Sequence, residues 1–424
     1  MFLQLVESGL RGGNSRFGRR TFSFLQVCRH WNEVAISSPQ LWGFWVACAY
    51  NAWPLFNSRS KGGPIHLTWR DELPETALDV LRDPKMPSRI RHLDFSGGDD
   101  ELEGFLTIFD SNSPSNASSV RLQVAPCNDC RPGERFARLL SSPFPKLSKL
   151  NIGGLLPGPS SSVFTTSKLT SLKLFLRKEK KGSYTLAQFS QILQQQPNLR
   201  ELDLNDGAIP STGVTKAPLL PHLVDLRLHG MDVAILGFID FIQMSSPLHN
   251  VIIHFDYVTH STIPALAGAV KKVLAAYYDC RGLDHPRKID SLAISLLPSE
   301  SHLAFQARSR SPPISNLELQ FGSIVKLGYK QVLEKTFDLF PSSDVQELTV
   351  DMLPLTRKML EKLKELSHLR VSNLASDDIQ QTLGALSPGA SPEGTTRVPN
   401  HTCTYREATS TPHPQAGIVD HNSL

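Results

Sequence analysis

Cys127 and Cys130, with two residues between them, are the first pair in this 424-residue sequence that could do chemistry. A C-x-x-C pair can supply half of a zinc site or a redox disulfide. A structural zinc site needs four ligands, with a second pair at suitable spacing. The other cysteines, Cys28, Cys48, Cys280 and Cys403, are scattered singly. A redox role needs a thiolate with a lowered pKa near a helix start, and Pro126 with Arg131-Pro132-Gly133 marks a turn instead. The pair reads as a surface loop with two free thiols. The 14 histidines form no H-E-x-x-H pair. No G-x-S-x-G elbow and no G-x-x-x-x-G-K-[ST] loop is present, so acyl-transfer and nucleotide-hydrolysis templates lack support. The expectation is that the chain is not an enzyme and carries no metal and no cofactor.

Composition narrows the remaining classes. The chain is 40% hydrophobic and 20% charged, as expected of a globular protein. Its excess of four basic residues is too small to announce nucleic-acid binding, which needs a concentrated basic face. Six cysteines in a chain this long do not make a disulfide scaffold, so a reducing compartment, cytoplasmic or nuclear, is expected. The most apolar stretch, Leu41 to Tyr50, is about half the ~20 residues a membrane-spanning helix needs. Met1 to Arg20 holds four arginines and one acid, Glu7, a composition that a transit peptide shares. Arg177-Lys178-Glu179-Lys180-Lys181 reads as a solvated loop, with nuclear import as the weaker option. Two Asn-x-Ser/Thr triplets, at Asn116 and Asn400, matter only in a secreted chain.

The elements that must position any binding residues repeat. The phrase apolar-x-x-apolar-x-apolar recurs as Ile90, Leu93, Phe95; Leu147, Leu150, Ile152; Leu169, Leu172, Leu174; Leu199, Leu202, Leu204; and Leu223, Leu226, Leu228. Weaker copies are Leu248, Val251, Ile253; Ile289, Leu292, Ile294; Ile314, Leu317, Leu319; Val345, Leu348, Val350; and Leu366, Leu369, Val371. Leu122 and Val124 read as a strand that lacks the leading apolar residue. From 150 to 251 the central position advances in steps of roughly 22 to 30 residues, in or near the leucine-rich-repeat range. The longer step from 251 to 292 suggests an insertion or a missed copy. Several spacers are helical in pattern: 99–110 with Leu102, Phe105, Leu106 and Phe109; 184–195 with Leu186, Phe189, Ile192 and Leu193; and 356–366 with Met359, Leu360 and Leu363. Asp232 is placed to cap a helix carrying Leu236, Ile239 and Ile242. A strand followed by a helix cannot bury its apolar face alone, but stacked copies can. The expected body, over 61–384, is therefore an irregular α/β leucine-rich-repeat solenoid. The Pro-, Ser- and Thr-rich stretch 385–424 is expected to be a disordered tail.

Alternate strand residues point to opposite faces. With the leucines inward, Lys173, Phe175, Glu201, Asp203, Asn205, Asp225, Arg227, His229, Ile252 and His254 face a concave surface, with Ser171 and Asn250 beside them. Mixed charge with a few apolar positions suits a protein partner better than a phosphate backbone.

The first 60 residues are different. On a helix, Cys28, Trp31 and Ala35 form one stripe with Val27 and Val34 beside it. Ser38-Pro39 would stop that helix, and Leu41 and Trp42 form a second anchor. In the order Val27-Cys28-Arg29-x-Trp31-x-x-Val34-Ala35, then Ser38-Pro39-x-Leu41-Trp42, this segment resembles the second half of an F-box. It is similar to fungal-type F-box proteins with degenerate leucine-rich repeats. Nothing in Met1 to Phe24 matches the Leu-Pro-x-Glu-like opening of an F-box, so the module is expected to be partial, truncated at its N-terminus. The resemblance implies that 1–60 is a small helical module docking on the adaptor Skp1, and through it on a cullin scaffold. The docking residues it implies are Leu25, Val27, Cys28, Trp31, Val34, Ala35, Pro39, Leu41 and Trp42. The expected function is then a substrate-recognition adaptor of a Skp1–cullin–F-box ubiquitin ligase that positions a protein for degradation. A repeat scaffold without ligase association is the alternative.

Overall fold

Strands built from the repeated phrase can pair only if each copy presents its apolar residues in the same register, and this decides the architecture. The structure is a computed structural model that describes residues 28–70, 75–109, 113–125, 134–165, 168–176, 184–209, 218–244, 248–259, 261–278, 289–297, 302–309, 315–322, 329–340, 344–353, 356–372 and 402–406. The Cys127–Cys130 loop, Leu25, Val27 and the basic run 177–181 lie outside those residues. No helix among the described residues is long and apolar enough to cross a membrane. The chain divides into two compact units, Met1–Pro286 and Arg287–Leu424.

The first unit opens with α1 (Arg29–Ser37), a 3-10 turn (Pro39–Gly43), β1 (Phe44–Val46), a second 3-10 turn (Ala47–Ala52) and α2 (Trp53–Arg59). Strand and helix then alternate. β2 (Ile65–Trp69) leads to α3 (Glu75–Leu81) and α4 (Met86–Arg89). β3 (Ile90–Gly97) is followed by α5 (Asp99–Leu106), β4 (Ser119–Val124) by α6 (Glu134–Ser141), and β5 (Lys149–Gly153) by α7 (Ser162–Thr165). β6 (Ser171–Leu176) precedes α8 (Leu186–Gln194), and β7 (Glu201–Asp206) precedes the short β8 (Leu219–Leu220). β9 (Asp225–Gly230), α9 (Asp232–Phe241), β10 (Gln243–Met244), β11 (Asn250–Phe255) and α10 (Ile263–Tyr278) complete the unit.

All neighbours in the order β1-β2-β3-β4-β5-β6-β7-β9-β11 are parallel. Leu93, Val120, Leu150, Leu172, Leu202, Leu226 and Val251 are successive register partners, and Phe95, Leu122, Ile152, Leu174, Leu204, Leu228 and Ile253 form the next row. Every one of these side chains is buried. Leu122 therefore holds the second position of its repeat, with Val120 in the first. Buried Ala117 takes the leading position that the sequence reading left empty. Backbone bonds join the residues ahead of the strands: Ser148 N–H donates to Ser118 O, Thr170 N–H to Ser148 O, Arg200 N–H to Thr170 O and Val224 N–H to Arg200 O. The turns thus satisfy the polar groups that an irregular connection would otherwise bury unpaired.

The helices follow the expected pattern with one change of role. Glu101 bonds back to the Gly98 N–H at the start of α5, and Thr185 and Gln188 form a reciprocal capping box on α8. Asp232 does not cap α9, whose N-cap is Met231. Its buried carboxylate accepts from the Val233 N–H of the helix's own first turn at 2.7 Å, and also from the Thr262 hydroxyl at 2.6 Å and the Thr259 N–H at 3.2 Å, tying two repeats together. The step from 251 to 292 contains the 16-residue helix α10, whose length accounts for much of it. The sheet begins at β1, inside the span assigned from sequence to the amino-terminal module. Arg89 fastens that junction by donating to Gly63 O, Asn57 Oδ1 and Ser60 Oγ.

The second unit contains β12 (Ser291–Leu297), β13 (His302–Ser309), β14 (Ser315–Phe321), α11 (Tyr329–Phe337), β15 (Glu347–Asp351), α12 (Arg357–Lys362), β16 (His368–Ser372) and β17 (Thr402–Arg406). Its sheet order is β14-β13-β12-β15-β16-β17. β13 is antiparallel to both neighbours, and the other pairs are parallel. β17 lies within 385–424, the stretch expected to lack structure.

Candidate protein-binding face

The amino-terminal segment keeps part of its apolar surface and buries the rest. In α1, the Ser37 and Ser38 hydroxyls donate to Val34 O, and the Trp42 indole N–H donates to Ala35 O at 2.8 Å, satisfying carbonyls left open at the helix end. Trp42 packs 5.8 Å from Phe56, with the Arg59 guanidinium 4.4 Å from its ring centre, close enough for a cation–π contact. Trp45 lies 5.5 Å from Trp53. Ala35 and Trp42, each 2% exposed, belong to the interior of this module and are not presented on its surface. Pro39 and Leu41 are half-buried and Cys28 is exposed. Trp31 is placed on α1. Val34 and Ile36 are 41% and 42% exposed. The sequence reading singled out Val34 and missed Ile36, because Ile36 falls off the Cys28–Trp31–Ala35 stripe.

The ten residues expected on a shared face do share it. Lys173, Asp203, Arg227 and Ile252 are register partners across β6, β7, β9 and β11. Phe175, Asn205, His229 and His254 form the next row, and Ser171, Glu201, Asp225 and Asn250 the row on the other side. The alternating burial along β9 and β11 places these side chains opposite the leucine rows, half-buried or exposed apart from buried Ser171. The same rows continue through residues the sequence reading left out: Asp94, Arg121 and Asn151 extend the Lys173 row, and His66, His92, Ser119 and Lys149 extend the Glu201 row. The signal was available, since the period-two argument applies equally to β2 through β5. The leucine phrases are cleanest in β6, β7 and β9, which is why the face stands out there first.

Side chains on the face form a charge lattice. Lys173 Nζ lies 2.5 Å from Glu201 Oε1 and 3.9 Å from Asp203 Oδ2, and the Ser171 hydroxyl donates to Glu201 at 2.7 Å. Burial alone would raise the Glu201 carboxyl, but the bonds from Lys173 and Ser171 outweigh it and hold the pKa below the usual carboxylate range. Burial pushes Asp203 up against the opposing pull of Lys173 and Arg227. Asp225 is raised by burial and then by Glu201, its neighbour of like charge across the ladder. Asp94, 3.8 Å from Arg121, is also raised by burial, which Arg121 and Arg70 oppose. Nearer β1, the His66 and His92 rings stack at 4.0 Å with Phe44 at 4.5 Å from His66. Burial and the neighbouring His92 lower His66 to about 4. Past β11, Asp256 Oδ1 lies 3.0 Å from His229 Nε2, and the His229 and His254 rings meet edge-on at 5.5 Å. Asn205 is engaged internally, accepting from the Leu176 N–H at 2.9 Å.

This arrangement can hold a polypeptide by ion pairs, hydrogen bonds and contacts to Phe175 and Ile252. The described residues contain no group of three or more His, Cys, Asp or Glu set to hold a metal ion. No family model matches the chain, and no curated protein matches it. Among solved structures it is similar to a chain of the crystal structure of the Rad7 and Elc1 complex in yeast, at 12% identity and a TM-score of 0.32, over 95% of this chain and 96% of that one.

Proposed function

We propose that this protein is a binding receptor that carries a protein substrate on its open strand face and docks through α1 and the turn after it on a Skp1-type adaptor, and through that on a cullin ubiquitin ligase. Its task is positioning, and covalent chemistry is left to the partner enzymes. It would work in the cytoplasm, the nucleus or both. The observation that carries the receptor half is the continuous parallel register from β2 to β11, which lines up polar and charged side chains in rows on the face opposite the leucines. The docking half rests on the F-box-like order of residues from Val27 to Trp42, joined by the exposure of Val34 and Ile36.

One observation favours a second reading. Ala35 and Trp42 are committed to the interior, so a smaller apolar surface is left for an adaptor, and a repeat scaffold without ligase association fits that. Affinity capture of purified Skp1-type adaptor by the full chain separates the two. The receptor reading expects capture by the wild type and its loss in Val34→Asp/Leu41→Ala with the thermal melt unchanged. No capture by the wild type would leave the scaffold.

A further inference from the structure

The open face of the first unit is polarised along the strand order, and the two poles differ in sign. From β2 to β6 it carries Arg70, Arg121, Lys149 and Lys173 against one carboxylate, Asp94. From β7 to the end of β11 it carries Glu201, Asp203, Asp225 and Asp256 against one cation, Arg227. The seam is closed internally, because Lys173 on β6 is held by Glu201 and Asp203 on β7. Away from the seam Arg121 lies 3.8 Å from Asp94 and Asp256 lies 3.0 Å from His229, whereas the exposed Lys149 ammonium and the Asp225 carboxylate have no hydrogen-bonded partner among the described residues. Asp225 also faces Glu201 directly across the ladder, a like-charge pairing that Arg227, His249 and Lys173 only partly offset, since the Asp225 carboxyl stays raised.

We propose that this face binds an extended polypeptide segment of split charge, laid across the strands with an acidic side chain over Lys149, beside Arg121, and a basic side chain over Asp225, beside Glu201. The assignment rests on the reading of the open face as the substrate surface, and it names the substrate class. Lys149 on β5 and Asp225 on β9 are three strand spacings apart, about 14 Å at ~4.8 Å per spacing. An extended chain covers that in about four residues. The segment therefore has its acidic and basic groups separated by about four positions. A uniformly basic or uniformly acidic segment satisfies one pole and is repelled by the other. A desolvated like-charge contact of that kind discriminates more strongly than it attracts.

The experiment measures fluorescence anisotropy of three labelled twelve-residue peptides of equal length and spacer on the full chain. One carries two Glu and two Lys separated by four positions, one carries four Lys and one carries four Glu. The wild type is expected to bind the split-charge peptide at least tenfold more tightly than either uniform one, and 0.5 M salt to remove the difference. Arg121→Glu/Lys149→Glu makes both poles acidic and should shift the preference to the four-Lys peptide. Glu201→Lys/Asp225→Lys makes both poles basic and should shift it to the four-Glu peptide. A switched preference cannot come from unfolding. Failure of the wild type to bind any peptide, equal binding of all three, or pole variants that keep the wild-type order would each overturn the proposal. Adaptor capture on the same preparations is independent of these outcomes and reports on the docking half alone.

Discussion

The two units solve the same packing problem with different strand directions. In the first, each strand is followed by a helix or turn long enough to return the chain, so all the strands of the main sheet run parallel and the leucine rows stay in register. In the second, only the stretch 298–301 separates β12 from β13 and 310–314 separates β13 from β14. A parallel crossover needs a dozen residues or more, so β13 must run antiparallel to both neighbours. Connection length, more than strand composition, sets the direction. Parallel stacking repeats one face motif many times over and yields rows of like placement. The antiparallel insert breaks those rows and buries most of β13, including Leu303, Ala304, Phe305 and Ala307. The unit that repeats is therefore the one in which a graded, extended binding face can be built.

The largest expected effect tests whether each unit stands on its own aromatic or leucine core. Phe305 is fully buried, 5.7 Å from Phe340 and 6.0 Å from Phe321. Phe305→Ala should cost about 3–5 kcal/mol and Leu204→Ala about 2–5 kcal/mol. Hydrogen exchange should show the loss of protection centred on β12–β14 in the first case and on β6–β9 in the second. Uniform loss across both units would show that they do not unfold independently.

A smaller effect falls on the polar ties between repeats. Buried Gln196 accepts from the Leu169 N–H at 2.8 Å and donates to Phe164 O. Gln196→Ala leaves two backbone groups without partners and should cost about 1–3 kcal/mol in chemical denaturation. A cost near zero would mean that water replaces the side chain.

The charge lattice gives two pH-dependent effects, smaller again. His66 is held neutral, with its pKa lowered from 6.5 to about 4. The unfolded chain binds the proton between those values and the folded one does not, so stability falls as pH drops from 6.5 toward 4. His66→Phe should flatten the melting temperature across that window. Asp225 has the opposite sign. Its folded pKa is raised, so its ionisation disfavours the folded state at neutral pH, and the penalty fades as pH falls through the carboxylate range. Asp225→Asn should raise the melting temperature slightly at pH 7 and not at pH 3. A variant that melts lower at pH 7 would show that the carboxylate stabilises the strand.

Much of the first unit was legible in the sequence because one phrase specifies strand, register and inward face together. Leu202 and Leu204, read as inward, carry with them Glu201, Asp203 and Asn205 on the other face. The reading failed where the phrase is imperfect. Ala117 holds a leading position but is too small to register as part of an apolar pattern, which shifted the frame of β4 by one alternate pair. β13 has the alternation Leu303, Phe305, Ala307, but Glu300 stands where the phrase has its leading apolar residue, so the phrase does not mark it. Asp232 carries a good cap residue at a helix start. Its carboxylate is shared, one oxygen accepting from Val233 N–H in its own helix and the other from Thr259 and Thr262 of the next repeat. Trp42 was legible as an anchor, but not as one that faces inward, since Phe56 and Arg59 come from a helix whose docking the sequence pattern does not fix.

The central claim is that docking and substrate binding occupy separate surfaces of one chain. Titration of purified Skp1-type adaptor into wild type, Val34→Asp/Ile36→Asp and Arg227→Glu tests it most directly. The account predicts equal affinity for wild type and Arg227→Glu, and at least a tenfold loss for Val34→Asp/Ile36→Asp. Absence of binding by the wild type, or undiminished binding by the α1 variant, would contradict it.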